Sequence, residues 1–432
     1  MTKTRQIALA CLLLSCGLSA LWGFSMERTS PNLMIDFKGV FYDAKCLLQH
    51  TDPYNPGEPL QAYLEMGNTV PQSADGLRQV LAVDVYLPTT SIFVAPFAML
   101  PWGTAQVLWA VLGIGSLIFA AFLMWDSGAS YAPVISCCLI CFLLANTEAF
   151  FATGNSAAIV VSLCVAAVWC FLKNRFVWVG ILCLAISLAI KPHDAGLVWL
   201  YFLLAGGVHR KRALQTLVVT AVLGLATITW VTPIAPHWMQ ELHTNILLDQ
   251  LPGKVNNPGP TTLNSRGPGM IIDLQSAISF FRDDPRIYNS VSYLVCGALL
   301  LAWVVRTLRV QFSPERAWFA LAAVVPLTML VTYHRPYDAK LLLLAIPACA
   351  MLWAERKPIR WLALLVTSAG IVFTADIPLT VLLIFTQNLH LSMEGLFGQM
   401  LALVLMRPAP LILLAMGIFY LWIYMRREPE RG

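Results

Sequence analysis

Charge is what this 432-residue sequence has least of: only 12% of its residues are Asp, Glu, Lys or Arg, 28 of them basic and 23 acidic. A soluble chain of that length would divide into roughly two or three domains, each needing a far more charged surface. A soluble fold is thereby excluded. So is disorder, because 58% of the residues are hydrophobic and the mean hydropathy is +0.70. Cysteine in polar sequence is nearly absent too. Ten of the eleven cysteines lie inside apolar runs and only Cys46 does not, so no structural disulfide is expected. No P-loop and no GxSxG is present, and the seven histidines (50, 193, 209, 237, 243, 334 and 390) show no metal-ligand spacing along the chain. Metal-dependent nucleotide-sugar chemistry is therefore disfavoured and no cofactor is expected. The net charge of +5 gives no support to nucleic-acid binding.

What the sequence does contain is a series of apolar runs. The first, about 7–24, follows Lys3 and Arg5 and reads as a retained signal anchor with its N-terminus in the cytoplasm. Others cover about 103–125, 131–146, 156–172, 176–190, 195–208, 213–234, 289–305, 317–332, 339–353, 359–374 and 408–424, which makes twelve with the first. Several are shorter than the ~20 residues of a full span, which predicts broken or recessed helices covered by other protein. With the N-terminus inside, one face collects Lys3, Arg5, Lys173, Arg175, Arg210, Lys211, Arg212, Arg306, Arg309, Arg316, Arg356, Lys357, Arg360, Arg426, Arg427 and Arg431. That is 16 of the 28 basic residues, against 5 of the 23 acidic ones, as the positive-inside rule requires. The expected protein is a single all-α polytopic domain over 1–432 in the cell (inner) membrane. Both termini are placed in the cytoplasm, and large extracytoplasmic loops at 25–87 and 235–288. Residues 86–101 read as re-entrant, and 377–406 has room for one more helix pair.

On this topology the polar residues beside apolar sequence all fall on the outer face. In the first outer loop, Phe37, Val40, Phe41, Ala44, Leu47 and Leu48 recur at helical spacing, predicting an amphipathic helix along the membrane surface with Asp36 near its start. Read without further context, Asp36 is a helix cap. Asp52-Pro53-Tyr54-Asn55-Pro56 is a turn. Lys191-Pro192-His193-Asp194 sets three ionisable side chains in one outer turn between short helices, a costly arrangement unless they are solvated or used. A lysine point charge beside a histidine suits a phosphate. Thr332-Tyr333-His334-Arg335-Pro336-Tyr337-Asp338 is a second such turn, in which His334 and Arg335 suit a phosphate and Asp338 can orient them. Glu148 and Asn155 are weaker candidates. The loop over 235–288 reads as a lid or platform.

Asp36-Phe37 with Tyr42 and Ala44, then Asp52-Pro53-Tyr54, Tyr86-Leu87-Pro88, Pro96-Phe97-Ala98-Met99-Leu100-Pro101, Ala105 and Trp109 together resemble glycosyltransferase family 87. Gly154-Asn155, Lys191-Pro192-His193 and Tyr337-Asp338 extend the resemblance over nearly the whole chain, although the glutamine often found between the first two is missing. These are multi-spanning GT-C enzymes, similar to polyprenyl-phosphate-mannose-dependent alpha-1,2-mannosyltransferases. The resemblance implies a GT-C-like bundle of about 12 transmembrane helices, a polyprenyl-phosphate sugar donor, a glycolipid or glycan acceptor, and an extracytoplasmic active site. It makes Asp36 the general base. Lys191, His193, His334 and Arg335 are the expected donor-phosphate ligands, with Asp43, Tyr54, Asn155 and Asp338 in support. The rival reading is a transporter or flippase for a lipid-linked solute. That reading lacks charged residues in the central turns of the long helices, and matching halves.

Overall fold

A backbone inside lipid must satisfy its own N–H and C=O groups, so uninterrupted apolar sequence should fold as helix. A computed structural model describes residues 2–29, 33–70, 75–145, 153–252, 254, 256–259, 271–375 and 395–427, and among them every regular element is a helix. All twelve apolar runs are helical over most of their length. In order the helices are α1 (Lys3–Thr29), α2 (Ile35–Leu48), α3 (Glu58–Glu65), α4 (Asp75–Ala82), α5 (Pro88–Ala98), α6 (Trp102–Gly128), α7 (Pro133–Ala145), α8 (Ala157–Leu172), α9 (Val177–Ile190) and α10 (Pro192–Leu204). Then follow α11 (Gly207–Val231), α12 (Trp238–Asp249), α13 (Leu274–Ile278), α14 (Pro285–Arg309) and α15 (Pro314–Val331). A 3₁₀ segment (Asp338–Ala345) leads into α16 (Ile346–Ala354), and α17 (Ile359–Phe373), α18 (Gly395–Met406) and α19 (Pro408–Arg426) complete the chain.

Among the described residues six helices (α1, α6, α11, α14, α15 and α19) are long and apolar enough to cross a membrane, and α7, α8, α9, α17 and α18 are shorter apolar helices. In α15 78% of the apolar window is buried, against 17% in α11, so α15 lies at the centre and α11 at the rim. Apolar burial gives little net drive between helices in lipid, so close packing of small residues must hold them. Ala317, Ala320, Ala322 and Ala323 of α15 are fully buried, and α15 packs along α19.

Two sequence expectations change, those on the 210–212 cluster and on the cover of α2. The basic cluster Arg210-Lys211-Arg212 belongs to the first turns of α11, not to a loop, because nothing after Gly207 breaks a helix. Buried Arg212 donates to the Phe171 carbonyl at 2.9 Å and so caps the end of α8. The run at 86–101 contains the 11-residue α5, which packs on α2. Helix α2 exists where its spacing predicts. It is wrapped by α3, α4 and α5, however, so Phe37, Val40, Phe41 and even Asp43 are buried against protein. Glu148, Arg266 and 376–394 lie outside the described residues.

Helices α8 and α9, which follow Asn155 and end at Lys191, touch through Gly180, where a Cβ would stand 2.8 Å from Cys170 Cβ and 2.9 Å from Phe171. Gly180→Val should lower the detergent melting temperature, at a cost of about 1–3 kcal/mol for overpacking. Gly196→Ala, with nothing within 4 Å of the new methyl, should leave it unchanged.

Candidate active site

Helix α2 begins after Met34, whose backbone is left-handed (φ 51°), and is anchored by the next apolar side chain inward. Phe37 stacks on Trp109 with ring centroids 4.4 Å apart and on Trp102 at 5.5 Å. That anchoring fixes Asp36 in the first turn. The facing loop approaches because it contains glycine. Gly154 has φ 64°, and a Cβ there would lie 3.0 Å from both Met34 and Phe37. Its carbonyl accepts the Trp109 Nε1–H at 2.8 Å.

Asn155 follows and is held at both ends of its amide. Its Nδ2 donates to Asp36 Oδ2 at 2.7 Å, and its Oδ1 accepts from the Ala157 backbone N–H and from Lys191 Nζ, both at 2.9 Å. Lys191 stands at the break between α9 and α10, where its backbone (φ −137°, ψ 82°) leaves the helix and Pro192 starts the next. Its Nζ also donates to Asp338 Oδ1 at 3.0 Å and lies 5.0 Å from the Tyr337 ring centroid. The other oxygen, Asp338 Oδ2, accepts the Arg335 N–H at 2.8 Å, which folds the 335–338 turn. Burial lifts the Asp36 carboxyl above the usual carboxylate range, against the opposing pull of Asn155, Arg335 and Lys191. Burial pulls Lys191 down, but Asp338 and Asp194 raise it further, so it stays an ammonium.

Asp36 opens on a polar cavity of about 80 Å³ whose walls also carry Asp43, Asp84, Tyr86, Asp249 and Arg335. Gln79 donates to Asp249 at 2.6 Å, Asn256 donates to Asp249, and Arg335 Nη2 donates to Asn256 Oδ1 at 3.1 Å. This polar bridge runs over one side of the cavity. Asp43 and Asp84 are each 2% exposed, and Asp43 Oδ1 and Asp84 Oδ2 have no hydrogen-bond partner among the described residues. Burial and the neighbouring carboxyl drive Asp43 well up. Burial lifts Asp84 to about 7 although the Tyr86 N–H, at 2.7 Å, opposes it.

The structure thus joins Asp36, Asn155, Lys191 and Asp338 in one hydrogen-bonded chain, and places Arg335 and Asp43 on the Asp36 cavity. His193 and His334 form a second group, not among the cavity-lining residues, around Asp194. Tyr54 stands apart. Its ring is fully buried, its hydroxyl donates to the Tyr86 carbonyl at 3.2 Å, and its carbonyl accepts from Asn245 at 2.9 Å, so it ties the first loop to α12. Sequence reasoning missed Asp84, Asp249 and Gln79. Of these only Asp84, a lone carboxylate between Val83 and Val85, carried a signal.

A carboxyl whose folded-state pKa is raised stabilises the fold fully below its unfolded pKa, and that contribution is lost as pH rises through the folded one. Stability in detergent should therefore fall between about pH 4, the ordinary carboxylate range, and about pH 7, where Asp84 titrates. Asp84→Asn should flatten that slope in urea or thermal melts.

No curated protein sequence matches this chain significantly. The sequence profile described as Glycosyltransferase family 87 matches residues 85–333. That stretch runs from the residue after Asp84 through α15 to Tyr333, taking in Asn155, Lys191 and His193, and covers more than half of the chain. The protein belongs to glycosyltransferase family 87 and is a membrane glycosyltransferase.

Proposed function

We propose that the protein moves a hexose, with mannose as the first candidate, from a polyprenyl-phosphate donor to a hydroxyl of a glycolipid or glycan on the extracytoplasmic face. The observation that carries this reading is the placing of the Asp36 carboxyl and the Arg335 guanidinium on the same cavity. Asp36 is the proposed base. It takes the proton from the acceptor hydroxyl as that oxygen bonds to the anomeric carbon. The bond from the same carbon to the phosphate oxygen breaks on the opposite face, and its electron pair leaves with the lipid phosphate, so the centre inverts. A carboxyl raised by burial is a stronger base than a free one, and Asn155, Arg335 and Lys191 favour its charged form. Arg335, and behind it Lys191, would stabilise the charge growing on the phosphate.

The cavity of about 80 Å³ has room for a few waters, since each takes about 30 Å³ in the liquid. Sugar entry therefore requires the Gln79–Asp249–Asn256–Arg335 bridge to open. Its opening would turn Arg335 Nη2 from Asn256 toward the phosphate while Nε keeps its bond to Tyr333.

The test is transfer by purified protein in detergent or lipid, with a short-chain polyprenyl-phosphate sugar and a panel of glycolipid acceptors. Asp36→Asn should lower kcat by at least the ~10²–10⁴-fold of general-base catalysis, with donor binding and melting temperature kept. Transfer that survives the isosteric amide would remove Asp36 from the role. Absence of transfer by the unaltered protein across several donor sugars would contradict the proposed donor class.

A further inference from the structure

Beyond the Lys191–Asp338 pair lies a cluster that the proposed transfer does not use. Pro192 starts α10, which puts His193 and Asp194 in its first turn. His334 reaches them from the turn after α15. His334 Nε2 lies 3.2 Å from Asp194 Oδ1, and His193 Nε2 lies 4.0 Å from the same oxygen. One ligand atom from each of the three residues falls within 4.8 Å of the others. A tetrahedral centre with bonds of ~2.0 Å has ligand atoms about 3.3 Å apart. The observed separations are near that spacing and need only a small inward turn of His193.

Asp194 and His334 are fully buried, yet neither Asp194 oxygen nor His334 Nε2 has an aligned hydrogen-bond partner among the described residues. A buried carboxylate with two unsatisfied oxygens is costly unless a cation completes it. Lys191 bonds Asp338 and Asn155 and acts on Asp194 only through its field. His334 Nδ1 lies 2.8 Å from the Thr332 carbonyl, so Nδ1 carries a proton, and Nε2, 3.2 Å from Asp194 Oδ1, is the atom that would ligate a metal in place of its own proton. A ring held this way through its other nitrogen is the usual state of a metal-bound histidine. The side chain of His193 is 37% exposed and gives the entry path.

We propose that His193, Asp194 and His334 bind one divalent transition-metal ion of the zinc type, with a fourth position open to water or to an anionic oxygen. The assignment stands apart from the transfer reaction, and its test needs no substrate. Full-length protein in detergent, stripped with chelator and re-equilibrated with Zn²⁺ alone, should hold one ion per chain by elemental analysis. Each of His193→Ala, Asp194→Asn and His334→Ala should weaken binding by tenfold or more. His334 and Asp194 are fully buried and their variants also disturb packing, so the partly exposed His193→Ala is decisive, with its melting temperature as the folding check. Co²⁺ substituted into the site should give visible ligand-field bands without thiolate charge transfer, and His193→Ala should abolish them. No ion above a sub-stoichiometric background would overturn the proposal. So would Zn²⁺ binding unchanged in His193→Ala, or a thiolate band placing the metal on the cysteines of α1 and α7.

Discussion

The ammonium of Lys191 is the charge around which this site is arranged. Buried 6% exposed beside apolar helices, it would be unaffordable alone, and it is compensated only because three other elements bring it partners. Asp338 comes from the turn after α15, Asn155 from the start of α8, and through Asn155 the chain reaches Asp36 at the start of α2. Each partner sits where a helix begins or ends, where backbone groups need side-chain partners anyway. Packing of α8 on α9 through Gly180 and of α2 on the 153–155 loop through Gly154 brings those ends within reach. Loss of one link leaves its neighbours buried and unpaired, so the four residues act as a unit.

Short helices follow from the same constraint. Helix α9 stops at Lys191, and α10 restarts at Pro192, so the backbone break falls inside the molecule where protein covers it. A full-length span there would carry the lysine past its partners. The transporter reading already lacked charged residues in the central turns of the long helices. Membership in a glycosyltransferase family replaces it, and the carboxylate–guanidinium cavity gives those groups work.

Much of this was legible in the sequence, for a physical reason. Apolar runs in lipid have only helix available, so every run became one, and the two turns Lys191–Asp194 and Thr332–Asp338 stood out as ionisable groups between short helices. One residue from each turn, Lys191 and Asp338, meet at 3.0 Å. Other features depend on contacts far apart in sequence. The apolar stripe of α2 predicts a covered face, but nothing in its spacing says that α3, α4 and α5 rather than lipid supply the cover. Asp84 and Asp249 are single carboxylates in unrelated segments, and only folding sets them on the Asp36 cavity. His193 and His334 show no ligand spacing because 140 residues of chain separate partners that pack ring to ring at 5.0 Å. Six of the twelve apolar segments are long enough to cross unaided. The others depend on neighbours that hydropathy does not reveal.

The central claim is that Asp36 works as an ionised base whose charge is held by Asn155. The direct measurement is the acid limb of kcat/KM against pH, in the unaltered protein and in Asn155→Ala. Burial places the limb above the ordinary carboxylate range, and removal of a lowering contact moves it higher still. A hydrogen bond to a charged group contributes about 1.5–3 kcal/mol. Loss of that bond should therefore shift the limb upward. A limb that stays in place while the rate falls would contradict the account, and would mean that Asn155 shapes the site without touching the charge of the base.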